Sequence, residues 1–340
     1  MATTIEASFV DEVVSRAGSK KNIYGAVLCV ERGDQTFSHI SGVGNVSFDQ
    51  PYFIASVTKL YVTAVLLKLR YESRLQLEDK ISKYLSDDLL RDLHVFKGKD
   101  YARDITIKHL LSNTSGIPDY FSSDVIRQLT SGNDQGWGFE KTIASAKEKK
   151  PKFAPGKRAQ YSDTNFQLLG KIIETITNRD IRTIFKEFIF DELKLEDTYL
   201  YEDVNDQRPA SFYYKDQQLY LPNYMASIGP EGGIVSTAKE SMTFLKAFFN
   251  GHFFPKEDFK ELKDWKLLFG PGLFFYGVGI ASQPLSLKEF KNGLIGHWGQ
   301  TGAFSFYHPR TDLYFTGTVN QFYGHSVAAK MMIEMIKKIK

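Results

Sequence analysis

The sequence contains little cysteine, almost no net charge and no long hydrophobic run at its start. Cys29 is its one cysteine, which excludes an internal disulfide and a cysteine-ligated zinc or iron–sulfur site. The 43 basic and 40 acidic residues leave a net charge of +3, too small a bias to predict a nucleic-acid surface. Glu6, Asp11 and Glu12 interrupt the first apolar positions, so we expect neither a secretory signal nor a membrane span there. These absences predict a cytoplasmic protein, and an exported chain trimmed of its leader would show the same pattern.

Several common catalytic and cofactor-binding motifs are also absent. The sequence has no H-E-x-x-H, no G-x-S-x-G, no Walker A loop and no G-x-G-x-x-G, which are the local signatures of zinc proteases, α/β-hydrolases, phosphate loops and dinucleotide-binding turns. Its seven histidines are scattered, and no two have metal-ligand spacing on a helix. We therefore expect neither a metal nor an organic cofactor.

The apolar pattern predicts helices at both ends of the chain and strands next to them. A length of 340 residues corresponds to roughly two domains of about 150 residues. Helical spacing begins near Ile5, alternating segments 24–31 and 35–40 flank a Gly-Asp turn, and a dense apolar stretch over 56–70 predicts a buried helix. Further strand-like runs are 273–281, 303–307 and 313–319, and a last helix starts near His325.

The order of these elements predicts an α+β fold. We expect an antiparallel sheet flanked by the N- and C-terminal helices, with an inserted, mainly helical domain. The predicted sheet domain is discontinuous and comprises residues 1–74 and 200–340, whereas residues 75–199 form the helical domain. The active site is expected in the cleft between them.

The strongest chemical signal is a serine at a helix start with a lysine three residues later. Ser56 and Lys59 fall on the same helix face. Burial removes water from an ammonium and favours its neutral form, which can accept the proton of a serine nucleophile. Alone, the spacing is weak evidence, because Ser236 and Lys239 repeat it. There, helix capping explains the serine and leaves Lys239 exposed.

Two further segments, in order along the chain, strengthen the case for Ser56. Tyr161-Ser162-Asp163 and His297-Trp298-Gly299, together with the serine motif, resemble the three motifs of the serine β-lactamase and penicillin-binding-protein superfamily. Segments 107–116 and 232–237 are also similar to stretches common there. The most similar branch contains class C β-lactamases, D-alanyl-D-alanine carboxypeptidases, D-aminopeptidases and β-lactamase-like esterases. The resemblance covers about residues 20–335 and implies a β-lactamase/transpeptidase-like fold.

The resemblance also implies a role for each motif residue. Ser56 would attack a carbonyl carbon, Lys59 would accept its proton, and Tyr161 would pass a proton to the leaving group and then activate the deacylating water. The backbone N–H groups of Ser56 and Gln300, the latter directly after Gly299, would form the oxyanion hole. Trp298 and Tyr120 are candidate walls of the cleft.

Two motif positions depart from the pattern of the family. Asp163 stands where many relatives carry asparagine, and an ionised carboxylate cannot donate a hydrogen bond to a substrate amide. It would instead favour the charged form of Lys59, or attract a substrate ammonium. His297 stands where many relatives carry lysine, and a neutral histidine binds a substrate carboxylate less firmly.

These observations predict a serine hydrolase that cleaves a small ester or amide through an acyl-serine intermediate, with esterase activity favoured. A D-stereospecific peptidase or amidase, or a D,D-carboxypeptidase, is the alternative enzyme. A catalytically silent binding or scaffold protein is the alternative from another class. The expected partner is a small-molecule substrate, and the sequence gives no oligomeric state.

Overall fold

The computed structural model describes residues 5–269, 274–286 and 293–339. Within these ranges, thirteen α-helices and fifteen β-strands are formed. The helices are α1 (Ala7–Gly18), α2 (Thr58–Tyr71), α3 (Asp87–Leu90), α4 (Ile107–Leu111), α5 (Ser123–Thr130), α6 (Phe139–Lys147), α7 (Asp163–Thr177), α8 (Ile181–Phe185), α9 (Asp191–Leu193), α10 (Pro222–Ser227), α11 (Ala238–Phe249), α12 (Phe259–Leu262) and α13 (His325–Ile339). The strands are β1 (Gly25–Arg32), β2 (Ser38–Gly44), β3 (Tyr52–Phe53), β4 (Val95–Phe96), β5 (Lys99–Asp100), β6 (Tyr199–Leu200), β7 (Phe212–Tyr214), β8 (Gln217–Leu219), β9 (Ile234–Ser236), β10 (Lys266–Phe269), β11 (Phe274–Tyr276), β12 (Ala281–Gln283), β13 (Leu294–Trp298), β14 (Ala303–His308) and β15 (Leu313–Thr318).

The main sheet contains eight antiparallel strands in the order β10-β11-β12-β13-β14-β15-β1-β2. The N-terminal strand β1 lies between its hairpin partner β2 and the near-C-terminal strand β15, with Leu28 opposite Ser41 on one side and Gly317 on the other. The two ends of the chain therefore close the sheet together, as the sequence predicts. The α+β fold class is confirmed.

Helices cover both faces of this sheet. Because side chains alternate along a strand, Ala26, Leu28 and Val30 pack with α1 and α13, whereas Val27 and Cys29 belong to the core shared with α2 and α11. Burial raises the pKa of the Cys29 thiol to about 12, which fits a buried apolar residue rather than a reactive thiol.

The helix that carries the serine motif lies in the middle of the larger core. Eleven of the fourteen residues of α2 are buried, so the predicted buried helix is confirmed. It packs against α7 and the short 3₁₀ helix Gly229–Glu231. Gly170 allows α7 to pack closely against the same 3₁₀ helix, because a Cβ there would lie 2.5 Å from Pro230 Cγ.

Two predictions about elements need correction. The run 273–281 was expected to form one strand, but β11 ends at Tyr276 and β12 begins at Ala281, with a turn at Gly279 whose φ is +73°; Leu273 itself lies outside the described residues. Ser236 was expected to cap a helix, but Thr237 is the cap of α11 and accepts from the Glu240 N–H. Lys239 is exposed, as predicted.

The described part of residues 75–199 contributes no strand to the eight-stranded sheet. Seven whole α-helices, α3 to α9, fall there, and strand β6 of the small sheet β3-β9-β6 lies at its boundary. The two-domain division stays a prediction. Among the described residues, no helix combines the length and the apolar character needed to cross a membrane.

Candidate active site

The chain reaches Ser56 through a tight turn between β3 and α2. The Ile54 N–H donates to the Ile234 carbonyl of β9, 3.0 Å away. Ala55 then has a φ of +46°, in the left-handed region that costs a residue with a Cβ about 1–2 kcal/mol. Ser56 follows within a single 3₁₀ turn and is partly exposed. Backbone strain therefore lies directly before the serine, where the neighbouring strand holds it in place.

Lys59 is completely buried, and its amine contacts three oxygen atoms. Nζ lies 2.8 Å from Ser56 Oγ, 2.7 Å from the Glu231 carbonyl oxygen and 2.5 Å from Asp163 Oδ1. The contacts with Ser56 and Glu231 are hydrogen bonds that Nζ donates, whereas the contact with Asp163 is an ion pair. The structure brings Ser56 and Lys59 together, as their spacing predicts, and adds an ion pair with Asp163.

Tyr161 also lies next to Ser56 and Lys59. The Ser56 hydroxyl is near enough to the phenol to lower its pKa, an effect smaller than those of burial and of Asp163, and Lys59 Nζ lies 5.2 Å from the centre of the ring. Burial, followed by the negative charge of Asp163, holds the pKa of Tyr161 well above its usual value. The phenol is therefore a protonated hydrogen-bond donor at neutral pH.

Asn113 fixes the segment that carries Tyr161. Its backbone carbonyl accepts from the Gln160 N–H at 2.9 Å. Its side-chain Oδ1 accepts from the Ser162 N–H at 3.1 Å and from Asn165 Nδ2 at 3.0 Å. Asn113 is fully buried and left-handed, with a φ of +56°, a conformation that asparagine tolerates better than most residues. Segment 107–116, noted in the sequence only for its resemblance, thus positions the tyrosine.

Three carboxyl groups surround Lys59, of which the sequence predicts only Asp163. Asp119 Oδ1 accepts from the Asp163 N–H at 3.0 Å, and Glu231 is 3% exposed. Burial, followed by the charge of Asp163, raises the pKa of both Asp119 and Glu231 well above their usual range. The two carboxyl groups beside the Lys59–Asp163 pair therefore favour their protonated forms.

Asp119 and Glu231 had a weak signal in the sequence. Asp119 directly precedes Tyr120, and Glu231 directly precedes the segment 232–237. Tyr120 itself is fully buried, and its hydroxyl donates to Glu231 Oε1 and lies 3.4 Å from the Tyr224 hydroxyl. Tyr120 therefore hydrogen-bonds a carboxyl group of the site and does not line the cavity itself. Its neighbour Asp119 does line the cavity.

His297 lies in β13 beside the cavity, but both of its ring nitrogens are occupied. Nδ1 lies 2.7 Å from the Trp298 carbonyl oxygen and therefore donates, so Nε2 accepts from the Tyr276 hydroxyl at 3.0 Å. Burial, followed by the positive charge of Lys59, lowers the pKa of His297 to about 3. The imidazole is thus neutral at physiological pH and offers no cation to a substrate.

The turn after β13 packs closely against the backbone just before Ser56. A Cβ on Gly299 would lie 2.3 Å from the Ile54 carbonyl oxygen, so only glycine permits this approach. The Thr301 hydroxyl donates to the Phe53 carbonyl at 2.7 Å. Gln300 lies between these two contacts and lines the cavity together with Ser56 and Trp298. The candidate oxyanion residues are therefore neighbours in space.

A cavity of about 680 Å³ opens beside Ser56. Ser56, Tyr161, Asp163 and His297 lie on its wall, as do Asp119 and Glu231. Most of the remaining lining is apolar and includes Ile126, Leu129, Phe212, Leu221, Met225 and Phe322. Pockets with an apolar lining and a few converging polar groups are typical of small-molecule sites. Within the described residues, no group of three or more His, Cys, Asp or Glu side chains is arranged to hold a metal ion.

Several known proteins are similar to this chain in sequence or in fold. A putative D-alanyl-D-alanine carboxypeptidase from Salmonella agona is 32% identical over 148 residues, which are 43% of this chain and 33% of the relative; the match thus spans about a third of that relative's length. A D-stereospecific amidohydrolase from Streptomyces sp. superposes with a TM-score of 0.82 at 24% identity, covering 97% of this chain and 98% of the other. A D-amino acid amidase from Ochrobactrum anthropi SV3 superposes with a TM-score of 0.79 at 21% identity, covering 98% and 99%.

The two structural similarities, at these identities, concern the fold. The family assignment depends on a separate match, in which the pattern described as Beta-lactamase extends over residues 10–335. That range includes both ends of the main sheet and all three motifs around the cavity. The protein therefore belongs to the β-lactamase family and has the fold of these hydrolases.

Proposed function

We propose that the protein is a serine hydrolase that cleaves small esters through an acyl-Ser56 intermediate. The observation that carries the proposal is the 2.8 Å contact between Ser56 Oγ and Lys59 Nζ at the wall of a mainly apolar cavity. A nucleophile within hydrogen-bond distance of a base, with a third group orienting that base, is the general arrangement of covalent catalysis.

Asp163 is the final proton acceptor in this proposal. An ammonium with three acceptors cannot take a proton from serine, so Lys59 must first transfer a proton to Asp163, 2.5 Å away. The neutral amine then accepts the Ser56 proton as Oγ attacks the acyl carbon. The net movement of the proton is from Ser56 to Asp163, with Lys59 as the intermediate carrier.

Tyr161 is the proton donor to the leaving group in this proposal. Its protonated phenol contacts Ser56 and can donate to the departing oxygen when the acyl bond breaks. The proton that Ser56 released returns to the phenol through Lys59, so the site is neutral again before water enters. Backbone N–H groups of Ser56 and Gln300 stabilise the charge on the carbonyl oxygen in both tetrahedral states.

The ion pair favours esters over ordinary amides. In this pair Lys59 has to hand a proton to Asp163 before it can accept another, and an amide needs full protonation of its leaving nitrogen, whereas an alkoxide or phenolate leaves more readily. The apolar lining of the cavity fits a short aliphatic or aromatic acyl group. Both features favour esterase activity.

Release of p-nitrophenolate from p-nitrophenyl butyrate tests this proposal. We expect Ser56→Ala, Lys59→Ala and Tyr161→Phe to lose at least about a hundredfold in kcat/KM. Lys239→Ala is the matched control, because Lys239 is the exposed lysine of the second S-x-x-K sequence, and it should keep the parent rate. Equal rates in all of these proteins would discard the site and favour a binding or scaffold role.

The carboxyl groups support a second candidate, a D-stereospecific amidase. Asp119, Asp163 and Glu231 all lie on the cavity wall, and Asp163 is the one that could hold the ammonium of an amino-acyl substrate, because the protonated forms of the other two are favoured. The similarity to a D-stereospecific amidohydrolase agrees with this candidate. Hydrolysis of D-phenylalanine p-nitroanilide, lost in Asp163→Asn while p-nitrophenyl butyrate is still cleaved, would establish it. Absence of anilide cleavage by the parent protein would leave esterase activity as the function.

A further inference from the structure

A second cavity of about 630 Å³ adjoins the first one on the side of Tyr161. The two cavities share Asp119, Phe121, Tyr161 and Phe269 on their walls. Ser56 and His297 line the first cavity, while the second begins beyond the tyrosine. A substrate whose acyl group fills the first cavity would therefore extend its leaving group into the second.

The second cavity is basic, unlike the first. Lys149, Lys150, Lys152 and Arg158 contribute to its lining. Lys149 is already occupied, because its ammonium donates to the backbone carbonyls of Asp119 and Tyr120 at 2.6 and 3.0 Å. Lys150, Lys152 and Arg158 are exposed, and the ion pairs formed among the described residues do not include them. These three cations are named below as the basic cleft.

Nothing on the cavity wall cancels the charge of the basic cleft. Asp119 is the carboxyl group that the two cavities share, and its Oδ1 accepts from the backbone N–H groups of Phe121 and Asp163. Burial and the charge of Asp163 favour its protonated form. Three unpaired cations next to a catalytic cavity predict affinity for a negatively charged group.

His297 stands where many relatives carry a lysine, but it provides no positive charge. It is neutral and uses both ring nitrogens within the fold. A negatively charged group on the substrate would therefore meet positive charge in the basic cleft, beyond Tyr161, rather than at β13.

We propose that the basic cleft of Lys150, Lys152 and Arg158 binds a carboxylate or phosphate on the leaving group of the substrate. This inference depends on the proposed hydrolase function for the identity of the leaving group. In the acylation step, Ser56 Oγ bonds to the acyl carbon and the bond from that carbon to the leaving oxygen breaks. The proton lost by Ser56 reaches the leaving oxygen through Tyr161, and the anionic alcohol or phenol departs through the cleft.

Three butyrate esters with related leaving groups test the proposal: 4-butyryloxybenzoate, 4-butyryloxyphenyl phosphate and the neutral methyl 4-butyryloxybenzoate. The quantity compared is kcat/KM for each anionic ester divided by kcat/KM for the neutral one. We expect the ratios to fall about fivefold in the double variant Lys152→Gln/Arg158→Gln, since each exposed charge contributes modestly. They should also fall in the parent protein as salt rises from about 0.05 to about 0.5 M.

The control variant Lys20→Gln/Lys21→Gln removes the same charge from the exposed turn after α1 and should keep the parent ratios. A larger fall for the phosphate ester would identify a phosphorylated leaving group, and an equal or larger fall for the benzoate would identify a carboxylate. Equal ratios in the parent protein and the cleft variant would overturn the proposal.

A binding measurement separates this inference from the proposed function. Calorimetry with the Ser56→Ala protein should show weaker binding of 4-butyryloxybenzoate once Lys152→Gln and Arg158→Gln are added. Weaker binding without any hydrolysis by the parent protein would support the anion site and refute the hydrolase. Ser56-dependent hydrolysis with unchanged binding and unchanged ratios would support the hydrolase and refute the anion site.

Discussion

Lys59 and Asp163 form a buried ion pair, with Nζ 2.5 Å from Oδ1 and exposed side-chain fractions of 0% and 12%. The same Lys59 amine also donates a hydrogen bond to Ser56 Oγ. A carboxyl group so close to the proposed base can receive a proton from it directly, as the proposed mechanism requires. Breaking such a pair on one side leaves a buried charge without its partner.

The variant Asp163→Asn should lower ester hydrolysis. The Asp163 carboxyl group lies 2.5 Å from Lys59 Nζ and is the proposed final acceptor of the Ser56 proton, a role that an amide cannot take over. We expect kcat/KM for p-nitrophenyl butyrate to fall by about tenfold or more. Steady-state kinetics of the parent and the variant at one pH measure the effect. An unchanged kcat/KM would show that the Ser56 proton does not move to Asp163.

Gly299→Ala should impair catalysis more than folding. The new Cβ would lie 2.3 Å from the Ile54 carbonyl oxygen, so the turn with Gln300 must move away from Ser56. Loss of one oxyanion donor costs about a hundred- to a thousandfold in kcat, and we expect a decrease near the lower figure. Gly138→Ala is the control, because a Cβ there meets nothing within 4 Å. Equal kcat values for the two variants would show that Gln300 does not belong to the oxyanion hole.

Asn113→Ala should lower kcat by about tenfold, because the segment that carries Tyr161 loses two hydrogen bonds from Asn113 Oδ1 and misplacement of a catalytic group is costly. The variant also places alanine at a left-handed position. Asn22→Ala imposes the same kind of strain, at a φ of +64° in the turn before β1. Both variants should lower the thermal midpoint, but only the first should lower kcat. A loss of kcat in both would trace the effect to general destabilisation.

His297 should make the protein less stable in acid. Its pKa falls from 6.5 to about 3 on folding, so between these values the unfolded chain binds the proton and the folded chain does not. Its contribution is complete above pH 6.5 and decreases as pH falls, by up to about 1.4 kcal/mol per pH unit. The raised pKa values of Asp119 and Glu231 act with the opposite sign over acidic pH.

Urea denaturation of the parent and His297→Gln isolates the histidine, since both proteins contain the two carboxyl groups. The free energy of unfolding should decrease less steeply in the variant between about pH 6.5 and 4. His252→Gln, which removes an exposed histidine, should follow the parent curve. Parallel curves for all three proteins would contradict a neutral, buried His297.

Much of the fold could be predicted because its elements have strong local patterns. The hairpin of β1 and β2, the buried helix α2 and the terminal helices follow directly from apolar spacing and turn residues. The break between β11 and β12 was missed, because a glycine-containing turn that connects two short apolar strands looks like one continuous run. The cap of α11 was placed one residue early, since Ser236 and Thr237 are both good caps and pairing of β9 with β3 engages the backbone of the first.

The site was predictable where residues are close in sequence or belong to a motif. Ser56 and Lys59 meet because residues three apart on a helix are neighbours. Asp119 and Glu231 were missed, because no spacing relates them to Asp163 and single acidic residues are common. The direction in which His297 points also depends on Tyr276, a residue on another strand.

The sequence by itself determined the α+β architecture, the serine–lysine pair and the order of the three motifs, because these follow from local periodicity and short spacings. Only the tertiary structure decided which charges oppose each other. It buried Lys59 against Asp163, surrounded that pair with two further carboxyl groups, and made His297 neutral. Those outcomes depend on desolvation and on distances between remote segments, which no local pattern contains.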